Sequence, residues 1–286
     1  MRIIESLKEM TETARGWLAG GSVGFVLVKG ELHEGHMQLI QEAQKACEIS
    51  VVGLLGCCWP FATSEERAQY QHNLQRQLQI LGRYQQLIVF IPRFEEMYPV
   101  RFQTLLMPSG PPLEQLSESE KDYNRSFFTL TVKLFHLVRP DVVYFGQKDA
   151  LQIAILRQII RDLNIDVHLR MMPTVRESDG LALSSRNRLL SEVERQGAVL
   201  IYAALQAGKA LILQGERRSS VIGQTMLHIL QSNTLILLEY AGVYTPDTFL
   251  PVAEATPGSI LSIAVSIDAV RLLDTITWLE NGQWRM

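Results

Sequence analysis

Short apolar runs recur through the first half of the chain, each followed by a stretch of helical periodicity. This alternation restricts the possible folds more than any other feature. Runs at 24–28 (GFVLV), 50–55 (SVVGLL), 86–91 (QLIVFI) and 141–145 (DVVYF) are four strand candidates, and 166–171 is a fifth. Helical patterns begin near His36 and cover 65–81, with Leu74, Leu78 and Leu81 on one face. They also include 132–137 before Pro140 and extend from the fourth run to about Leu163. Strands alternating with helices of this length imply βαβ units and a parallel sheet. The runs are continuous because parallel strands are covered on both faces. Ligands bind such sheets beyond the carboxyl ends of the strands, so the residues just after each run are the ones to search.

The pattern changes after Pro173. Helices are expected at 191–213 and 219–231, then strands at 235–243 and 259–267 with turns at Pro246 and Pro257-Gly258, and a short last strand at 274–279. The reading is two domains, a larger parallel α/β domain over 1–175 and a smaller α+β domain over 176–286. Residues 108–122 (PSGPPLEQLSESEKD) are turn-rich and acidic, and read as a surface loop.

Three segments have the composition of a phosphate site. Gly30-Glu31-Leu32-His33-Glu34-Gly35-His36 follows the first run and opens a helix. Helix N-terminal N–H groups suit a phosphate, the histidines can donate to oxygens that gain charge, and Gly35 permits close approach. Gly146-Gln147-Lys148-Asp149 follows the fourth run: glycine for a tight turn, lysine as a compact cation, aspartate for ribose hydroxyls. Leu183-Ser184-Ser185-Arg186-Asn187, after the turn at 177–180, sets two hydroxyls beside a guanidinium. Singly, each has an ordinary reading: a strand-to-helix turn, a solvated loop, a helix cap. No further ligands at zinc spacing accompany the histidines, so no metal-ligating residue is assigned. Together and in this order, the three match the plan of adenylate-forming nucleotidyltransferases.

Longer segments carry a closer resemblance. MRIIESL, LHEGHMQLI, IVFIPRFEEMYP, KLFHLVRPDVVYFGQKDALQIAILRQIIRDLNID and PTVRESDGLALSSRNRLLS follow one another over almost the whole chain. In this set the chain resembles the pantothenate synthetase (pantoate–β-alanine ligase) family. The resemblance implies a Rossmann-like doubly wound parallel sheet of the HIGH-motif nucleotidyltransferase type, with a smaller C-terminal α+β domain. It implies ATP contacts at Lys29, Gly30, His33, Gly35 and His36, at Gly146, Gln147, Lys148 and Asp149, at Val175 beside the adenine, and at Leu183, Ser184, Ser185 and Arg186 on the phosphates. His36 falls at the proton-donor position, with His33, Lys148 and Arg186 beside it in catalysis, and Gln152 at a pantoate contact. The implied chemistry is attack of the pantoate carboxylate on the α-phosphate of Mg2+-bound ATP, then attack of the β-alanine amine on the pantoyl-adenylate. The implied assembly is a homodimer.

The departures from the family pattern cluster. Leu27, Val28, Lys29 and Gly30 stand where the family reads Pro-Thr-Met-Gly. Cys57, Cys58, Trp59, Pro60 and Phe61 stand for Asn-Pro-x-Gln-Phe, so Pro60 replaces the substrate-binding glutamine. Glu120, Lys121, Asp122, Tyr123 and Asn124 stand for Arg-Pro-x-His-Phe. These changes fall on the acid's pocket, where Lys29 offers a carboxylate a cation. Three readings stay open: the family ligase, an adenylating ligase for another acid, and a non-catalytic ATP-binding paralogue.

Bulk properties bound the rest. A formal net charge of −3 gives no field to attract nucleic acid. Three cysteines make no disulfide framework, and adjacent Cys57 and Cys58 read as packed free thiols. The N-terminus does not read as a secretory signal, and no run approaches 18 uninterrupted apolar residues. The expectation is a cytoplasmic protein with small-molecule substrates and no membrane or nucleic-acid partner. His72, His136, His168 and His228 are read as surface or satisfied core residues.

Overall fold

The computed structural model of this chain describes residues 1–17, 21–56, 64–110, 113, 116 and 118–286. They form two compact units: Met1–Phe145 with Ile159–Met171, and Gly146–Gln158 with Met172–Met286. The second unit thus includes the lysine loop, which a single cut at 175 would leave with the first.

The first unit holds a six-stranded sheet of β1 (Arg2–Ile4), β2 (Val23–Val28), β3 (Ile49–Leu54), β4 (Leu87–Phe90), β5 (Val142–Gly146) and β6 (His168–Met172), in the order β1-β4-β3-β2-β5-β6. The pairs β1–β4, β4–β3, β3–β2 and β2–β5 are parallel. All six residues of β2 are buried, which is why its sequence is an unbroken apolar run. β2 lies between β3 and β5, with Val26 facing Val52 and Tyr144. The chain leaves β2 toward β3 on one side and leaves β5 toward β6 on the other. Such a switch point is where doubly wound sheets bind ligands.

Helices α1 (Leu7–Gly16), α2 (Glu34–Ala46), α3 (Ser64–Leu81), α4 (Phe94–Met97), α5 (Glu118–Val138) and α6 (Ala150–Asp162) connect these strands. Two expectations are corrected. β1 is a sixth strand the apolar-run criterion missed, because only Ile4 of its three residues is buried. The segment 108–122 is not wholly loop: α5 begins at Glu118, with Glu118 and Glu120 in its first turn, where acidic side chains suit the helix dipole.

The second unit packs α7 (Glu192–Leu213) and α8 (Ser219–Leu230) on a sheet of β7 (Ile236–Tyr244), β8 (Ile260–Ile267), β9 (Val270–Trp278) and β10 (Trp284–Arg285), in the order β10-β9-β8-β7. The sheet is antiparallel throughout. Ser191 and Glu194 form a reciprocal capping box at the start of α7. By length and composition α7 could cross a membrane. Instead it sets Ala198, Ile201, Ala204 and Leu205 into a core with Met226, Leu261, Ile263 and Ile276. The stacked Trp278 and Trp284, centroids 6.0 Å apart, pin the C-terminal strand.

Candidate active site

In the first unit the histidine motif starts at the carboxyl end of β2. His33 is the N-cap of α2 in extended conformation, and its carbonyl accepts from His36 N at 2.8 Å and Met37 N at 3.2 Å. The side chain of His36 turns back, so that Nδ1 accepts from the His33 backbone N–H at 3.3 Å. With Nδ1 used as an acceptor, a neutral imidazole carries its proton on Nε2. The two rings stand 3.9 Å apart between centroids. Both histidines, Gly30 and Gly35 are half-buried. Helix start and imidazole donors therefore sit at one place, created by a few consecutive residues.

Lys29, the first residue past β2, holds its ammonium 4.4 Å from the Phe127 ring centroid and 5.8 Å from that of Tyr123. Both rings belong to α5. Two of the three departures from the family pattern, Lys29 and Tyr123, thus meet. Glu31 accepts from Asn73 Nδ2 of α3 at 2.6 Å, tying the same loop to a second helix. The third departure, at Cys57, Cys58, Trp59, Pro60 and Phe61, lies outside the described residues. The lone histidines His72, His136, His168 and His228 are exposed.

In the second unit Lys148 Nζ donates to the carbonyl of Leu183 at 2.8 Å, so the lysine loop and the Ser-Ser-Arg segment meet. Leu183 N in turn donates to Val175 O at 2.9 Å, which places the expected adenine neighbour beside the same strand of loop. Ser184 Oγ accepts from Arg186 N at 3.3 Å and caps the single-turn helix Ser185–Leu189. Arg186 donates to Arg271 O at 3.2 Å. Asp149 and Gln152 are half-buried, Gln152 within α6.

One expected reason changes. Gly146 has φ −76°, a conformation open to any residue, and an added Cβ would meet nothing within 4 Å. The turn does not need a glycine, so its value is bare backbone that a ligand can approach. Gln147 is buried, accepting from Thr277 Oγ1 at 3.2 Å and donating to Arg285 O at 3.1 Å. Its side chain anchors the loop from below.

Sequence reasoning missed the supports. Arg176 forms a bidentate pair with Asp274 at 2.5 and 3.1 Å and lies 4.0 Å over the Tyr202 ring. Burial pushes the Asp274 carboxyl above its ordinary value, against the pull of Arg176. Gly180, at φ +91°, has no room for a Cβ, which would fall 2.4 Å from the Tyr202 ring. Asn187 Nδ2 donates to Glu177 Oε1 at 2.6 Å and to Ala182 O at 3.1 Å. Arg195 holds Glu177 at 2.5 Å and Asp179 at 2.6 Å. Among the described residues no group of three or more His, Cys, Asp or Glu gathers as metal ligands.

Comparison with known proteins identifies the family. The family model for pantoate-beta-alanine ligase matches residues 2–277. A pantothenate synthetase of Thermosipho africanus is 38% identical over 277 residues, covering 96% of this chain and 99% of the relative. The crystal structure of a pantothenate synthetase from Thermus thermophilus superposes with a TM-score of 0.84 at 31% identity, covering 96% and 98% of the two chains. A Francisella tularensis pantoate-beta-alanine ligase complexed with beta-gamma ATP and β-alanine shares the fold, with a TM-score of 0.72 at 23% identity over 99% of each chain.

Proposed function

This chain belongs to the pantoate-beta-alanine ligase family, and from that premise we propose how its residues carry out the ATP-dependent joining of pantoate to β-alanine. The chain is an ATP-dependent acid–amine ligase of this class, and no comparison points to another acid or to a non-catalytic paralogue. The observation that carries the assignment is the family match over residues 2–277, which spans both the histidine motif of the first unit and the lysine and Ser-Ser-Arg segments of the second.

In the first step the pantoate carboxylate attacks the α-phosphate and pyrophosphate leaves. In the second, the β-alanine amine attacks the acyl carbon and AMP leaves with the bridging oxygen. The protein's task is to align reactants and stabilise charge on phosphate oxygens. His36 Nε2–H donates to those oxygens, and the α2 N-terminus behind His33 adds backbone donors. Lys148 and Arg186 supply the cations, and Ser184 and Ser185 the hydroxyls. Gly146 and Asp149 take the nucleoside side with Val175. Magnesium arrives with the ATP phosphates and neutralises them. Gln152 and Lys29 serve the acid, Lys29 in place of the glutamine replaced by Pro60. The working form is a cytoplasmic homodimer, which light scattering of the purified chain would check.

The test is pyrophosphate release with Mg-ATP. Release should require pantoate, and pantothenate should form only when β-alanine is added. ATP binding without any pantoate-dependent release would contradict the assignment.

A further inference from the structure

We propose that β9 is a positioning strand for the ATP-phosphate loops, and that Asp274 and Thr275 are the residues through which it sets Lys148 and the Ser184–Arg186 segment. The inference rests on the nucleotide roles assigned above to those loops.

Four side-chain links run from the two loops to this one strand. Thr275 Oγ1 donates to Lys148 O at 3.3 Å and is itself held by Ser262 Oγ at 2.8 Å. Thr277 Oγ1 donates to Gln147 Oε1 at 3.2 Å. Arg186 donates to Arg271 O at 3.2 Å. Asp274 binds Arg176, which also donates to Gly180 O at 3.1 Å and pairs through its backbone with Ala182, one residue before the Leu183 carbonyl that receives Lys148. Alternation along a strand explains the division of labour. Thr275 and Thr277 share one face and carry the lysine loop. Asp274 is on the other, between Leu272 and Ile276 of the apolar core.

A carboxylate in a core row is a poor way to gain stability. Removing two charges from water offsets most of their attraction, and apolar residues of similar volume commonly do as well or better. What the pair does provide is geometry. A bidentate guanidinium–carboxylate contact fixes direction as well as distance. Arg176 is further clamped between Asp274 and Tyr202, and the turn at Gly180 closes against that same ring. The Lys148 ammonium and the Ser-Ser-Arg donors are thereby held to one frame. Misplacement of such groups by about 1 Å can cost on the order of a hundredfold in rate.

The experiment compares three variants of the full chain by ATP titration and by pyrophosphate release. Arg176→Met with Asp274→Leu removes the pair without leaving a charge buried, so it should fold and melt at or above the wild-type temperature. Its ATP affinity and kcat should each fall about tenfold or more. Thr275→Val removes only the hydroxyl and should lower kcat severalfold, and Thr275→Ser should restore it. A purely structural role would not distinguish Ser from Val at matched stability. If the folded double variant and Thr275→Val both keep wild-type ATP affinity and kcat while Lys148→Ala loses ATP, β9 does not position the loops. If Lys148→Ala also binds ATP normally, the nucleotide assignment itself fails, and the inference with it.

Discussion

The two sets of residues assigned to ATP, one in each unit, are built by opposite means. In the first unit the histidine element makes itself: His33, His36 and the start of α2 are set by bonds spanning three or four residues. In the second unit Ser184 caps its own turn, but the cationic side chains are anchored over long spans. Lys148 reaches Leu183 across 35 residues, Arg186 reaches Arg271 across 85, and Arg176 reaches Asp274 across 98. A locally closed motif can be read wherever it occurs. A long-range one exists only when the small sheet is in place, so its chemistry and the folding of that unit are coupled.

Substitutions can break this contrast. Asp274→Ala should have the largest effect, leaving the largely enclosed Arg176 without its buried partner and costing about 3–5 kcal/mol of stability. A melting temperature unchanged from wild type would mean that the second unit does not depend on the pair. His36→Ala should behave in reverse: little change in melting, but a loss of kcat worth about 3–4 kcal/mol, the scale of losing one transition-state donor. Lys148→Ala should weaken ATP binding by about 1.5–3 kcal/mol, as for a charge-assisted bond, with titration calorimetry as the measure.

The acid side sharpens the comparison within the first unit. Lys29 is held over Phe127 and Tyr123 of α5. Reverting Val28→Thr, Lys29→Met and Pro60→Gln together should lower the pantoate KM by about tenfold, as a regained polar partner would, with ATP affinity unchanged. An unaltered pantoate KM in a folded variant would show that the pocket works by other groups.

The smallest effect is electrostatic. Arg218 pulls the half-buried Glu216 carboxyl from 4.5 to about 2. A carboxyl with a depressed value in the fold stabilises above its unfolded value, so this contribution should fade as pH drops from 4.5 toward 2. Solvent and salt screen this surface pair, whose arginine is exposed. The difference in melting between wild type and Glu216→Gln should therefore be slight at about pH 7 and vanish near pH 2. A difference that grows in acid would contradict the sign.

The same local-versus-distant division governs what the sequence discloses. The buried parallel strands are legible because burial on both faces writes unbroken apolar runs, as in β2. β1 is not, since two of its three residues are exposed. The start of α5 is hidden in an acidic, serine-rich segment that resembles a loop until its helix-dipole logic is seen. The motif residues His33, His36, Lys148, Ser184 and Arg186 stand out by type and spacing. Asp274 does not, because one aspartate in a strand-like run acquires meaning only from an arginine 98 positions away. β9 itself begins at Val270, four residues before the expected 274, because Arg271 and Asp274 interrupt its apolar pattern.

The most direct test of the whole account follows an oxygen atom. Pantoate labelled with 18O in its carboxylate is turned over with Mg-ATP and β-alanine, and the products are weighed by mass spectrometry. Attack of the carboxylate on the α-phosphate, followed by amine attack at the acyl carbon, must leave one 18O in AMP and none in pyrophosphate. Label lost to water, or appearing in phosphate in place of AMP, would contradict the adenylate route on which every residue assignment above depends.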